Sequence, residues 1–598
     1  MGSVRRAVWI ANCSGAVPDP GDHMYNQAKY GPVDVITGDY LAEINLGNDA
    51  EAYAAGQHEG WIPTAWDGLR QSIELIAEKR IKVVINGGAL NPKGLAEKTQ
   101  RELVQAKGLN LTVAYVHGDD LLHKVHDLLS RDESGELPHL DRDNAHVKLE
   151  KDTDVFIDHP DTMPIVSAHA YLGMRAIKRG LDEGADIIIC GRVADASPVI
   201  GAAAWWHGWK ETDYDELAGA LIAGHLIECS TYITGANYAG FFKHEIPELL
   251  DLGLPIAEVE ANGECVITKH EALNGFVDAD TVKCQLLYEL QGTIYLNSDV
   301  KAEIRHVRVE DESKDRCELL VNATGYATKK KYDLQEAQLR RMLKLWGVLD
   351  KLDVLDFQYI GRPESNPPCQ LASTTYLRIF AQATDEDVVA KVLPAWAYNT
   401  MQHFAGFHLT RDLRTATPRP FLGFYPATIS QSELEESVNI LPQGSSESSI
   451  KHIVGPPQRT EPLQSREDYE PPNAVDLATF GETVLAPLGD IALGRSGDKG
   501  ANVNCGLFVP AREDPTGEKW DWLRSLMTKA QMREMIGTDW KEWYHLERCE
   551  MAEMRAVHFV VYGPLGRGVS SSKILDALGK GFAEFIRDVH VAIPKKFL

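Results

Sequence analysis

Residues 81–92 read IKVVINGGALNP: a run from Ile81 to Ile85 broken only by Lys82, then Asn86, two glycines and the pair Asn91-Pro92. A β-branched run of that length, closed by glycine and proline, is a strand that ends in a turn. The same unit recurs through the first two hundred residues, with strands expected at Ala7–Ala11, Val33–Thr37, Ile81–Ile85, Leu111–Val116 and Ala185–Cys190. Between two of them, Leu69, Ile73 and Ile76 fall on one helical face. Strand alternating with helix is an α/β pattern. Strands this continuously apolar are buried on both faces, as in a parallel sheet. The expected fold is α/β, with a Rossmann-like, mostly parallel sheet.

In an open parallel sheet, ligands bind beyond the carboxyl ends of the strands. The loops at those ends read NCSGAVPDPGD (12–22), GDY (38–40), NGGALNP (86–92), HGDD (117–120) and GRVADASP (191–198). They are expected to line one cleft, although Gly, Asn, Asp and Pro also simply make turns.

The chain has 598 residues, more than one ordinary core accommodates. The parallel-sheet core is placed at 1–250 and a mixed lobe at 251–440, where strand signals such as GECVITKHEALNGFV and RHVRVEDE mix with helical stretches such as Leu334–Leu345. Residues 431–480 are rich in Ser, Glu, Gln and Pro, and a linker is placed at 441–480. A small α+β domain is expected at 481–598, with strands at VLAPLGDIAL, VNCGLFVP and RAVHFVVYG and helices at Trp520–Ile536 and Lys573–Arg587.

A net charge of −26 argues against nucleic acid or an anionic membrane as the main partner. The nine cysteines include no C-x-x-C pair and fit a reducing compartment, so a cytoplasmic location is expected. The apolar run within Met1–Val17 is too short for a signal peptide, and no run reaches the ~20 apolar residues of a membrane span. A homodimer is expected on the commonness of two-fold assemblies.

In order, GDYLAEINLG (38–47), INGGALNPKGLAEK (85–98), VHGDDLL (116–122), AYLGMRAIKRGLDEGADIIICGRVADAS (170–197), LAGALIAGHLIECSTYITG (217–235) and TVKCQLLYEL (281–290) resemble the acyclic terpene utilisation (AtuA) family. PLGDIALGRSGDKGANVNCGLFV (487–509) is similar to the ferredoxin-fold domain that its members carry. The resemblance implies catabolism of branched or terpenoid acids as CoA thioesters, by a lyase step releasing acetate from a 3-hydroxy-3-alkylglutaryl-CoA. CoA would then be part of the substrate, and no other cofactor is required. The alternatives are a hydrolase or hydratase acting on a free terpenoid or polyketide-derived acid, and a non-catalytic binding or assembly subunit.

The resemblance fixes no catalytic residues, so chemistry must nominate them. Cleaving a 3-hydroxyacyl thioester needs a base for the hydroxyl proton and positive charge for the forming enolate. Candidate bases are Asp39, Asp119, Asp120 and His225, the last with Glu228 three residues on and Cys229 one turn away. Either adjoining aspartate could instead cap a helix, and His225 could be a satisfied core histidine. Arg192 is the candidate electrophile, unless it merely orders its loop with Asp195. Asn86, Gly87, Gly88 and Asn91 are candidate substrate contacts. Asp19, Asp22, Asp39, Asp119 and Asp120 would suit Mg²⁺ or Mn²⁺ if they converged. The glycine-rich stretches GRSGDKGANVN (494–504) and GPLGRGVSSSK (563–573) offer Arg495, Lys499, Arg567 and Ser571 to an anion such as a CoA phosphate, the second at an expected helix N-terminus.

Overall fold

The computed structural model describes residues 5–129, 137–149, 153–159, 163–305, 320–324, 327–383, 386–397, 404, 407–409, 421–443 and 449–598. It forms two compact units, one of residues 1–314, 423–570 and 578–598, the other of 315–422 and 571–577.

The first unit is built on a nine-stranded sheet. Its parallel core holds β1 (Val8–Asn12), β2 (Val35–Gly38), β3 (Lys82–Ile85), β4 (Val113–His117) and β5 (Ile187–Ile189) in the order β1-β2-β3-β5-β4. Beyond β1 lie the antiparallel strands β6 (Pro255–Val259) and β7 (Cys265–Lys269). Beyond β4 lie β8 (Ser437–Ile440) and β9 (Ile450–Ile453), also antiparallel. These last two strands come from the Ser/Glu/Pro-rich stretch. Apolar residues are few there: Val438 and Ile440 of β8 are buried, whereas Ile450 and Ile453 of the edge strand β9 are exposed. RHVRVEDE falls mostly outside the described residues.

Successive residues of β3 serve opposite faces, as a pleated strand buried on both sides must. Val83 and Ile85 join one core with Leu69, Ile73 and Ile76 of the helix α1 (Pro63–Lys79). Val84 joins another with the helices α2 (Ser197–His207) and α3 (Tyr214–Glu228). Pro63 opens α1 at the position where its missing N–H costs nothing, and Arg80 in the left-handed region ends it. Each fully buried Val or Ile contributes about 1.5–3 kcal/mol.

The C-terminal part of this unit is a four-stranded antiparallel sheet of β10 (Leu493–Lys499), β11 (Asn502–Phe508), β12 (His545–Met551) and β13 (Ala556–Tyr562), ordered β10-β11-β13-β12. One face packs Cys505, Leu507, Val557 and Phe559 against Trp522, Leu523 and Ile586. From the other, Leu493 and Phe508 join the core holding Cys284 and Leu287 of the helix α4 (Ala279–Leu287). The expected single helix over Trp520–Ile536 is two helices, Glu518–Leu526 and Lys529–Ile536, because Thr528 caps a new start by accepting from Gln531 N–H at 3.0 Å. The helix expected at Lys573–Arg587 spans only Phe582–Asp588, so Ser570–Ser572 sit at no helix N-terminus. GRSGDKGANVN is a hairpin: β10 and β11 pair from Lys499–Asn502 upward, with Gly500 at φ 60° in the turn.

In the second unit, strands Val354–Ile360, Thr374–Gln382, Leu320–Thr324 and Phe407–Leu409 form an antiparallel sheet in that order. Helix Thr328–Leu345 packs on it through Tyr332, Leu339 and Leu343 against Leu377 and Ile379.

Candidate active site

Four of the strand-end loops deliver named groups. After β2, Asp39 accepts from Asn86 Nδ2, and Asn86 Oδ1 in turn accepts from Tyr40 N–H at 2.7 Å, so the loops after β2 and β3 are tied together. Gly87 and Gly88 allow this closeness: a Cβ would lie 2.4 Å from Ala65 at the first and 2.6 Å from the Cys190 carbonyl at the second. After β5, Arg192 is 2% exposed and its Nη2 meets Asp195 at 2.5 Å. Its Nη1 donates to the Leu41 carbonyl at 3.1 Å, and its guanidinium lies 4.1 Å from the Tyr171 ring centroid. Arg192 therefore orders its loop with Asp195, its Nε has no protein acceptor, and Glu43 and Asp39 lie near enough to favour its charge.

Asp119 stands behind this arginine. Its Oδ2 accepts from Arg192 N–H at 2.8 Å and lies 3.0 Å from His169 Nδ1. Asp120 is exposed and accepts from Leu122 N–H at 2.9 Å, the turn-capping alternative. Asn91 caps a helix as well, accepting from Gly94 N–H at 2.9 Å and donating to the Glu59 carbonyl at 2.9 Å. Asp19 is engaged by Gly15 N–H at 2.8 Å. Among the described residues no group of three or more His, Cys, Asp and Glu has a metal-holding arrangement, so the five aspartates expected to suit Mg²⁺ or Mn²⁺ do not gather.

His225 and Glu228 share the last turn of α3, buried to 0% and 5% exposure, with Nδ1 and Oε1 2.8 Å apart. Glu228 Oε2 has no protein partner. Burial pushes the Glu228 carboxyl up to about 7 against the pull of His225. Burial, with Asp195 nearby, also raises Asp39 well above the carboxylate range although Arg192 opposes it. Two carboxyls that resist ionisation beside a buried cation are the usual mark of acid and base work.

Of the residues that complete the cluster, the sequence singled out Arg495 and Lys499 but not Glu43, Glu289, Asp498 or Lys580. Glu43 accepts from the Tyr171 hydroxyl and, despite burial, is held down at about 2 by Lys499 and Arg192. Lys499 meets Glu289 at 2.6 Å and keeps 37% side-chain exposure. Burial opposes its charge, but Glu289, Glu43 and Asp195 hold the ammonium well above its ordinary value. Beside it, burial and Glu289 push Asp498 up to about 7. Lys580 donates to the Tyr288 hydroxyl at 2.7 Å, and Arg495 lies 4.2 Å from the Tyr288 ring centroid. Ser230, Asn237 and Glu289 are all left-handed at φ 58°; for L residues that backbone costs roughly 1–2 kcal/mol each. A usable signal was present, since Tyr288-Glu289 and Tyr232 lie within the quoted motifs 281–290 and 217–235.

The cluster thus takes Asp39, Glu43, Arg192, Asp195 and Glu228 from the nine-stranded half and Arg495, Asp498, Lys499 and Lys580 from the C-terminal sheet and its following loop. Of the other candidates, Arg567 lies beside Phe424, whose N–H donates to the Arg567 carbonyl at 2.9 Å. Ser571 belongs to the second unit, where its carbonyl accepts from Gln382 Nε2 at 2.6 Å.

Residues 8–321 and 316–440 match the family model described as acyclic terpene utilisation family protein AtuA, and residues 486–592 match the AtuA ferredoxin-like domain. No curated protein and no solved structure matches the chain.

Proposed function

The chain belongs to the acyclic terpene utilisation AtuA family, and from that premise we propose that it is a lyase cleaving a carbon–carbon bond in a branched 3-hydroxyacyl-CoA bearing a carboxymethyl arm. The observation that supports this reading best is the buried Glu228, with one oxygen on His225, the other unpartnered, and a carboxyl poised at about 7, in a cluster containing the buried Arg192.

In this reading Glu228 Oε2 takes the proton of the tertiary hydroxyl. The alkoxide collapses to a ketone as the bond to the carboxymethyl carbon breaks, and the electron pair passes into the enediolate of acetate. Arg192 and Lys499 supply the positive field in which that charge forms. Asp39, whose carboxyl burial raises well above the usual range, returns a proton to carbon. One proton leaves oxygen and one arrives at carbon, so acetate and a 3-oxoacyl-CoA form without water. A base with pKa near the working pH best combines a usable ionised fraction with proton affinity.

The test is to incubate the protein with such a thioester labelled with ¹³C in the carboxymethyl arm. Labelled acetate together with the 3-oxoacyl-CoA is the expected outcome. Free CoA would make the protein a hydrolase and a mass change of one water a hydratase. Binding without any product would make it a binding subunit, and each of these three results rejects the lyase.

A further inference from the structure

Arg495 is a group that the proposed chemistry leaves unused. It lies on β10, is 2% exposed, and is held over Tyr288 at 4.2 Å and Tyr232 at 5.3 Å. Nη1 donates to Asn237 Oδ1 at 3.1 Å, whereas neither Nε nor Nη2 has a protein acceptor. Arg175 and Arg192, comparably buried, leave only Nε unpaired, and each meets a carboxylate, at 2.5 Å in both cases. Among the described residues Arg495 has no carboxylate partner. A buried charge left in this state is costly unless something supplies the missing acceptor.

Nε–H and Nη2–H lie on one edge of the guanidinium and point the same way, two parallel donors that match the two oxygens of a carboxylate. We propose that Arg495 is the specificity-determining residue of the site, taking the carboxylate of the substrate's carboxymethyl arm side-on between the rings of Tyr232 and Tyr288. This rests on the lyase reading for the identity of the arm, but not for the existence of a carboxylate site. A CoA phosphate fits less well. Asp498 and Glu289 act on the same Tyr288 that Arg495 covers and oppose a second negative charge. Both free nitrogens are shielded from water, so the ligand enters by displacing a side chain; Tyr232 and Lys580, both partly exposed, are the movable walls. In the proposed reaction the charge of the broken bond spreads onto these two oxygens, so the contact strengthens as the bond breaks.

Titration calorimetry on the full chain tests this with 3-hydroxyglutarate monoamide, whose amide stands in for the thioester, the corresponding diamide, and inorganic phosphate at matched ionic strength. The wild-type protein should bind the monoamide at least tenfold tighter than the diamide. The preference should vanish in Arg495→Gln and return only in part in Arg495→Lys, which keeps the charge and loses the fork. An unchanged preference in Arg495→Gln overturns the proposal, as does phosphate binding tighter than the monoamide and lost with the same substitution. Circular dichroism shows whether the variants fold. Should Arg495→Gln not fold, Arg495→Lys carries the test, with a several-fold weaker monoamide and an unaltered diamide expected and an unaltered monoamide overturning it. A preserved carboxylate preference without acetate release would reject the lyase and leave Arg495 in its role.

Discussion

Nδ1 of His225 and Oε1 of Glu228 lie 2.8 Å apart, and Nε2 of the same ring faces the Leu286 carbonyl at 3.2 Å. The carbonyl can only accept, so Nε2 carries a hydrogen, and Nδ1 and Oε1 share one proton. His225 thereby orients the carboxyl and sets how readily it gives up that proton. It is a positioning residue, and Glu228 is the group offered to substrate.

If Glu228 is the base, kcat/KM rises with pH through about 7, because only the ionised carboxyl can accept the hydroxyl proton. Glu228→Gln should lower kcat by about 10²–10⁴-fold and abolish that acid limb. His225→Gln should shift the limb without abolishing it. A pH–rate profile of each variant decides between these roles, and an unmoved limb in Glu228→Gln assigns it to another group.

Arg192→Lys keeps a charge but loses the paired contact with Asp195 and Leu41 and the stacking on Tyr171. Turnover should fall by about 10²-fold, the usual loss when one preorganised donor is removed. Steady-state kinetics should place the loss in kcat more than in KM. A loss confined to KM means that Arg192 binds the ground state only.

The neighbouring aspartates after β4 should separate cleanly. Asp119→Ala leaves the Arg192 amide and His169 without their common acceptor and should cost about 1–3 kcal/mol, with activity lost through the displaced arginine. Asp120→Ala should change stability by no more than about 0.5 kcal/mol. Urea denaturation of both variants checks the contrast, and equal effects would remove Asp119 from its supporting role.

Asp498 carries a pH signature of stability. Burial, Glu289 and Glu43 raise its folded pKa to about 7, against Lys580 and Lys499. A carboxyl raised in this way favours the fold at acid pH and loses that contribution as pH rises through the folded pKa. Asp498→Asn should therefore melt higher than wild type at pH 8, with the gap closing as pH falls towards 4. An Asn variant that melts lower than wild type at pH 8 would show instead that Asp498 is ionised and paired.

The parallel core was legible because β-branched runs closed by glycine report burial on both faces locally, and all five strands lie within two residues of their expected bounds. Arg192, Asp39 and Glu228 were legible as polar groups at strand ends and on a helix face. Lys499 and Arg495 were found for the wrong local reason, since their stretch is a hairpin and their partners Glu289 and Tyr288 come from another part of the chain. Asp119 and Asp120 are adjacent and look alike in sequence; only the course of the loop after β4, which sends one inward and the other out, distinguishes them. Glu43 was missed because a first-turn glutamate usually serves its own helix.

The pairing of Ser437 with His117 has a consequence for biosynthesis. Until β8 leaves the ribosome, β4 is the open margin of the sheet, and an unpaired apolar margin invites contact with other nascent chains. Arg175 completes the delay: its partners Asp299 and Glu436 arrive in two later instalments, so the buried guanidinium stays wet until both are present. The amino-terminal half is thus a reservation held open for a segment made far downstream, and chains cut before residue 437 should be recovered as aggregates and not as smaller soluble proteins.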